Sequence, residues 1–339
     1  MKKKMEEIVS EDWLKDLPLQ TENPAFAPDE MINCEQCRRA NPPTRSKCLY
    51  CGAQMEFSER QSRFLKPNLR QMETWEKGFN LIFVGDSEIL DSSKFEEAAL
   101  LLKTEKDFLP QIVEAKKPLP VARVETEKEA EIVQNRLLEL GVETKIIRDE
   151  DLKIEKPARR LRAMDFWEDK LVLILFNVDE IREIDWLDVN LIVTGAIFER
   201  KVETTETRRK KGESKLLEAS ETASDELLID VYSRQDEIGC RIERKGFDFF
   251  CLGAEKSLLA AENIRRLVGT LAEKAPNAKV VEDYLQIRGS LANVWQVEEK
   301  TDSQGLKRES FGSFNLGNIT TVSNSAQFTK YSRLRRQLL

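Results

Sequence analysis

Four cysteines are spaced so that a single metal ion could bind all of them. Cys34 and Cys37 form one Cys-x-x-Cys turn, and Cys48 and Cys51 form a second turn ten residues later. Two such turns bring four thiolates around a tetrahedral ion without strain, and Zn²⁺ is the usual occupant. Because the protein supplies all four ligands, no position is left for an activated water. The spacing therefore predicts one structural zinc ion per chain, with a four-sulfur iron site or a redox pair as the alternatives.

The chain contains no histidine among its 339 residues. Ser-His and Cys-His catalysis and histidine-ligated metals are therefore excluded. The sequence also lacks a P-loop, a dinucleotide-binding glycine motif and a Gly-x-Ser-x-Gly elbow. Carboxylates are plentiful, but no pair stands out by its spacing as a general acid and base. We predict that the protein is not an enzyme.

Composition favours a cytoplasmic protein made of well-solvated modules. Charged residues make up 34% of the chain, and the net charge of −7 argues against attraction of the whole protein to nucleic acid or to an anionic membrane. The basic N-terminus is not followed by an apolar signal segment, and no apolar run approaches the ~18 residues of a membrane span. Membrane contact beyond weak binding of anionic lipid is not expected.

Residues 31–55 are expected to form the metal module, in which an asparagine lies between the two cysteine turns. The full pattern is Cys34-x₂-Cys37-x₃-Asn41-x₆-Cys48-x₂-Cys51. This pattern resembles the Ran-binding-protein type of zinc finger and also the short zinc ribbons of bacteria. Fingers of the Ran-binding type bind single-stranded RNA or ubiquitin, so the resemblance implies a small binding module. Ile32 replaces their tryptophan, and Arg38 replaces the threonine of the ubiquitin binders, which favours the bacterial ribbon.

The surroundings of this module are weakly basic, since four basic residues face one acidic residue and a zinc–tetrathiolate group of charge −2. A protein contact or a solvated face is the main expectation, and nucleic-acid contact is the alternative. The residues predicted for such a contact are Arg38, Arg39, Asn41, Arg45 and Lys47.

Residues 1–30 are expected to form a flexible arm, and residues 56–77 a partly helical connector. Residues 78–148 then carry the signals of a two-layer β-α-α-β-α-β domain. The clearest signals are a capping box at Thr126–Glu129 and Gly141 as a left-handed helix stop.

The segments Pro118-Leu-Pro-Val121, Glu127-Lys-Glu-Ala-Glu131 and Leu138-Glu-Leu-Gly-Val-Glu143 occur in that order. Together they resemble the C-terminal domain of the bacterial ribosomal stalk protein, which docks translation factors through a Gly- and Lys-rich hairpin. The corresponding bend here, Lys103–Phe108, has no glycine, so the resemblance implies the fold and not that partner. A ferredoxin-like half is the alternative.

Residues 158–276 are expected to form an antiparallel seven-stranded barrel closed by one helix from Glu255 to Ala275. The predicted strands are Leu161–Phe166, Lys170–Phe176, Ile181–Trp186, Asn190–Phe198 continuing to Val202, Leu227–Arg234, Ile238–Arg244 and Phe247–Leu252. Seven strands followed by a helix resemble the pleckstrin-homology-like barrel, as does the step Trp186–Val189 into a long strand. The helix is expected to bury Leu258 and Leu259 along with its other apolar residues.

A polar loop is predicted over residues 203–226 of this barrel. It contains the basic run Arg208, Arg209, Lys210 and Lys211. This run could bind an anion, and the alternative is a solvated loop without a ligand. Cys240 and Cys251 are expected to face each other across a hairpin turning at Lys245–Gly246, as buried thiols or as a reversible redox pair. Residues 277–339 are expected to form a partly irregular C-terminal extension.

The sequence thus predicts an α+β, multi-domain, cytoplasmic protein. Its leading interpretation is a non-enzymatic zinc-binding adaptor or regulatory protein whose partner is another protein. The alternative is a nucleic-acid- or ribosome-associated factor that uses the basic ribbon and the basic C-terminus. The identity of the partner and the oligomeric state are left open.

Overall fold

The computed structural model describes residues 31–43, 47–53, 55, 69–85, 91–176, 180–209, 215–310 and 313–339. The predicted arm over residues 1–30 and most of the predicted connector over 56–77 lie outside these ranges. The chain divides into two compact units, residues 1–66 and residues 67–339.

The first unit contains two short strands, β1 (Ile32–Asn33) and β2 (Ala40–Asn41), which pair antiparallel. Among its described residues, the buried apolar cluster is small and consists of Ile32, Cys34, Cys48 and Met55. These few side chains bury little apolar surface to offset the entropy of ordering residues 31–55. A metal ion held by the four cysteines would add to the stability of this segment.

The second unit begins with the predicted β-α-α-β-α-β order, which the structure confirms. The elements are β3 (Phe79–Phe83), α1 (Ser92–Leu102), α2 (Phe108–Ala115), β4 (Pro120–Val124), α3 (Glu127–Glu139) and β5 (Thr144–Arg148). The three strands are antiparallel in the order β4-β3-β5. The Thr126 hydroxyl accepts a hydrogen bond from the Glu129 amide, and Gly141 has a φ of 89°, as the capping signals predicted.

A curled sheet of nine strands follows. Its strands are β6 (Arg159–Phe166), β7 (Lys170–Leu175), β8 (Ile181–Asp185), β9 (Val189–Arg209), β10 (Lys215–Ser233), β11 (Cys240–Glu243), β12 (Lys279–Val281), β13 (Glu298–Ser310) and β14 (Ser313–Ser323). Their order is β13-β14-β9-β10-β11-β6-β7-β8, with β12 also paired to β9. Two pairs, β11–β6 and β12–β9, are parallel. The α+β class is confirmed, but the sheet is open and mixed rather than a seven-stranded antiparallel barrel.

The seventh predicted strand, Phe247–Leu252, is wrong. Residues Phe250–Glu255 form a 3₁₀ turn, and the segment contributes one isolated bridge, between Asp248 and Ala163. Alternating burial of Phe247 and Phe249 imitates a strand, but the chain turns at Gly253, whose φ is 51°.

The helix after this turn is α4 (Ala260–Lys274), which starts later than predicted. Leu258 and Leu259 were expected to lie inward, but they precede the helix and are exposed. Ile264, Leu267 and Leu271 of α4 pack against the sheet as predicted. No helix in the part of the chain that the structure describes is long and apolar enough to cross a bilayer.

The predicted polar loop over residues 203–226 is wrong where the structure describes it: residues 203–209 continue β9, and residues 215–226 belong to β10. Their pairing runs outward to Thr207↔Lys215, and β14 pairs with the other edge of β9 as far as Arg209↔Ser313. The stretch is rich in Thr, which favours strands, and Arg200 forms a cross-strand ion pair with Glu221 at 2.8 Å. Solvated strands explain the polar composition that suggested a loop.

The C-terminal segment contributes ordered elements to this unit: β12, α5 (Tyr284–Leu291), the β13–β14 hairpin and α6 (Ser325–Gln337). The sheet is buried on both faces where α6 and α4 cover it. Ile192 belongs to the cluster with α4, whereas Leu191 and Val193 belong to the cluster that includes Phe328 and Tyr331 of α6. That second cluster also contains the core of the three-stranded layer. Residues 78–148 and the large sheet therefore share one hydrophobic core.

A buried polar cluster joins the three-stranded layer to α6. The Asp149 carboxylate accepts hydrogen bonds from the Gly78 amide at 2.9 Å, from Asn80 at 3.0 Å and from Arg123 Nε at 2.9 Å. Trp295 Nε1 in turn donates to the Asn80 amide oxygen at 2.7 Å. All the principal polar groups of Asp149 and Asn80 are thereby satisfied away from water.

Lys330 is held less closely than the other groups of this cluster. Its ammonium lies 4.0 Å from the Asp149 carboxylate, although its side chain is only 6% exposed. Burial lowers the pKa of Lys330 to about 8, although the Asp149 charge opposes this shift. The unfolded chain, with a lysine pKa of about 10.4, therefore binds more protons between pH ~8 and ~10.4. Stability should rise with pH across that window, and the cost of the buried charge should be fully present below it.

We expect Lys330→Met to raise the free energy of unfolding at pH 7 by about 1–3 kcal/mol, because a buried charge is replaced by an apolar group of similar length. It should also remove the rise of stability above pH ~8. Urea denaturation at several pH values measures both effects. Lys300→Met, at a side chain that is 72% exposed, is the control and should change little. A destabilised Lys330→Met protein would contradict the prediction.

Candidate metal centre

The two cysteine turns of the first unit are built by the same backbone pattern. In the first turn, the Arg38 amide donates to the Cys34 carbonyl at 2.7 Å, and the Cys34 amide donates to the Arg39 carbonyl at 3.0 Å. In the second turn, the amides at Gly52 and Cys48 make the equivalent bonds, at 3.0 and 2.8 Å. The residue after each Cys-x-x-Cys has positive φ, 57° at Arg38 and 72° at Gly52. This repeated turn aims both cysteines of each pair to one side.

The four sulfurs converge on one point. The Sγ atoms of Cys34 and Cys51 are 3.6 Å apart, those of Cys37 and Cys48 are 3.5 Å apart, and all four lie within 4.8 Å of one another. A tetrahedral ion with Zn–S bonds of about 2.3 Å would hold its sulfurs about 3.8 Å apart. The four predicted ligands are thus brought together in an arrangement that could hold a metal ion.

Asn41 ties the two turns together from the interior. Its side-chain amide donates to the Arg39 carbonyl at 2.8 Å and to the Cys48 sulfur at 3.4 Å, while its oxygen accepts from the Leu49 amide at 2.8 Å. Its exposed fraction is 0%. Asn41 was also predicted as a possible contact residue, but its side chain is buried, and its hydrogen bonds orient the two cysteine turns.

The surroundings shift the pKa values of the Cys48 and Cys51 thiols in opposite directions. Burial opposes ionisation of Cys48, but hydrogen bonds from the Tyr50 and Cys51 amides and from Cys37 and Asn41 outweigh it and lower its pKa to about 6. The Ala53 amide lowers the pKa of Cys51, but burial and hydrogen bonds with the other three sulfurs raise it to about 12. Four thiols in one site do not all ionise together without a cation to balance them. The donor set is therefore suited to a divalent ion.

The second turn presents two apolar side chains outward. Leu49 is 49% exposed and Tyr50 is 55% exposed. The Arg39 guanidinium lies over the Tyr50 ring, 4.8 Å from its centroid, in a cation–π contact. Of the other predicted contact residues, Arg38 and Lys47 are exposed, whereas Arg45 lies outside the described residues. The sequence prediction overlooked Leu49 and Tyr50, although an apolar pair inside a Cys-x-x-Cys turn has no core to enter.

The remaining cysteines lie in the second unit and do not form the predicted ladder. Cys240 is in β11, which pairs with β10 and β6, while Cys251 is in the 3₁₀ turn. Both are free thiols, and burial raises the pKa of Cys240 to about 12 and that of Cys251 to about 11. Neither has the lowered pKa of a reactive cysteine.

The basic run Arg208–Lys211 falls at the outer end of the β9–β10 hairpin. Arg208 and Arg209 are the last residues of β9, and Lys210 and Lys211 lie outside the described residues. In the basic C-terminus, Arg333 is 3% exposed and donates to the backbone carbonyl of Leu152 at 3.2 Å. Arg336 donates to the carbonyls of Arg234 and Asp236 at 2.7 and 3.2 Å. These two arginines of α6 fix loops of the same unit.

In comparisons with known proteins, no family model, curated sequence or solved structure matches this chain.

Proposed function

We propose that residues 31–55 form a structural zinc ribbon and that the chain is a non-enzymatic, cytoplasmic adaptor or regulatory protein. The observation that carries the proposal is the exposed pair Leu49–Tyr50, held on a turn that four converging sulfurs would fix. An ion bound by four protein sulfurs has no open position for substrate, so its contribution is to folding rather than to chemistry.

A protein partner suits this surface best. Tyr and Arg are enriched at the centres of protein interfaces, where an aromatic ring supplies area at a low entropy cost. Here the ring of Tyr50 is already oriented by Arg39, with Leu49 beside it in sequence. The resemblance of residues 78–148 to the stalk-protein domain adds support by analogy of fold alone, because that fold serves as a binding platform.

The test uses the Leu49→Ser/Tyr50→Ser double variant of the full chain in affinity purification from its native cytoplasm. We expect a stoichiometric protein partner with the wild type and at least tenfold less of it with the variant. Leu285→Ser, at a leucine of similar exposure (48%) in the second unit, is the matched control. Recovery of the same partner at the same yield with the double variant would contradict the proposed surface.

Nucleic-acid binding is the second candidate, because Arg38, Arg39 and Lys47 are exposed close in sequence to an exposed tyrosine. Such a surface could stack on a base and contact phosphates. This candidate predicts single-stranded RNA affinity that falls steeply with salt and is lost in Arg38→Ala/Arg39→Ala. Fluorescence anisotropy with a labelled oligoribonucleotide at two salt concentrations decides between the two candidates.

A further inference from the structure

The second unit contains a cavity of about 280 Å³ beside the last turn of α6. The cavity is open to solvent and is lined by β12, by Glu282, Asp283 and Gln286, and by Arg335 of α6. The cavity is far in sequence from the cysteine cluster and shares no residue with it.

Arg335 carries the first sign of a ligand. Its Nη1 atom is buried and has no hydrogen-bond partner among the described residues. The guanidinium lies 5.9 Å from the centroid of the Tyr331 ring, which holds it at the edge of the cavity. A buried N–H donor without an acceptor is costly, so this half-buried guanidinium has a donor ready for water or for a bound acceptor.

The charges around the cavity favour an anion. Asp283 is already neutralised, because the Tyr331 hydroxyl donates to it at 2.5 Å and Lys117 pairs with it at 2.9 Å. Burial alone would raise the pKa of Asp283, but the hydrogen bonds from Tyr331 and Lys117 and the nearby charges of Lys117 and Arg335 outweigh it and lower the pKa. Lys279 is exposed and makes no ion pair in the described part of the chain. With Glu282 as the remaining acid, Arg335 and Lys279 leave one positive charge uncompensated.

The backbone of β12 supplies a second type of contact. It pairs with β9 over three residues, Lys279↔Leu191 to Val281↔Val193, and with no other described strand. Its other edge has no strand partner among the described residues, and an extended chain can add to such an edge by main-chain hydrogen bonds. Because β12 and Arg335 line the same cavity, the combination suits an extended peptide that ends in a carboxylate.

We propose that this cavity binds the free C-terminus of an extended polypeptide. The terminal carboxylate accepts hydrogen bonds from Arg335 with support from Lys279, and the preceding residues pair with the open edge of β12. The proposal is independent of the zinc ribbon and of the surface around Tyr50, since it concerns the other unit of the chain.

The probe is an array of random N-acetylated pentapeptides with free carboxyl ends, beside the same array with amidated ends, incubated with the full chain. We expect a subset of sequences to bind at least tenfold better as carboxylates, and this preference to disappear in Arg335→Gln and to weaken in Lys279→Gln. Absence of any preference for the carboxylate form would overturn the proposal.

Two controls make the array result interpretable. Arg265→Gln removes an exposed arginine from α4 and should leave binding unchanged. The thermal midpoint of Arg335→Gln should match the wild type, and if that variant does not fold, exposed Lys279 provides the folded alternative. A carboxylate preference that survives intact in folded Arg335→Gln would also overturn the proposal.

Discussion

A Cys48→Ser substitution should abolish stoichiometric metal binding and unfold residues 31–55, while leaving the unfolding transition of residues 67–339 unchanged. Cys48 contributes one of the four converging sulfurs and receives the hydrogen bonds from Asn41 and Tyr50. Structural zinc supplies about 10–16 kcal/mol to the folding of small finger peptides, and four buried side chains cannot replace that contribution here. The effect on this unit should therefore be complete rather than graded.

Elemental analysis of purified protein measures the metal, and limited proteolysis measures the order of residues 31–55. Wild type should contain one zinc per chain and resist cleavage there, whereas Cys48→Ser should contain less than a tenth of that and be cut. Cys251→Ser, outside the sulfur cluster, should behave as wild type. Asn41→Ala should keep the ion but bind it about 10–100-fold more weakly. A full zinc complement in Cys48→Ser, or iron in the wild type, would contradict the prediction.

An Asp149→Ala substitution should lower the free energy of unfolding of the second unit by about 3–5 kcal/mol. The carboxylate is 3% exposed and accepts from Gly78, Asn80 and Arg123. Removing it leaves the Arg123 and Lys330 cations buried without an anion, and the Gly78 amide without an acceptor. Desolvated charges left unpaired cost far more than the pair itself contributes.

Urea denaturation followed by tryptophan fluorescence is the suitable measurement, because Trp295 donates to Asn80 within the same cluster. Asp151→Ala is the matched control: its partner Arg148 is 55% exposed, and the pair should contribute no more than about 1 kcal/mol. Similar losses for the two variants would show that the cluster around Asp149 is not the buried network described here.

Sequence analysis correctly predicted the parts of the fold whose two ends carry local start and stop signals. Helix α3 begins at a threonine cap and ends before a glycine in the left-handed region, so its limits are encoded locally. The cysteine cluster is equally local, because the two Cys-x-x-Cys turns determine their own geometry. Asn41 was noticed from its spacing, but its role as a buried bridge depends on contacts with both turns.

The wrong predictions share a different cause. In those segments, the polarity of the residues does not indicate how deeply they are buried. In β9 and β10, side chains 199–206 and 219–226 are exposed or half-buried on both faces, so no apolar alternation marks these stretches as strands. Conversely, α6 buries Gln327, Lys330 and Arg333, residue types that usually indicate a solvent-facing helix. Their partners, such as the Leu152 carbonyl for Arg333, are supplied by segments far away in the chain. No short-range pattern contains that information.

The late position of α6 in the chain has a consequence during translation. The ribosome makes this helix after every strand and helix against which its Phe328, Tyr331 and Leu334 pack. Until it emerges, both the large sheet and the three-stranded layer lack a shared wall of their core, and the nascent chain exposes apolar surface. Synthesis that stops before residue 325 would therefore yield a product recognised by chaperones and proteases. The shared core can therefore close only after residues 325–337 have been made.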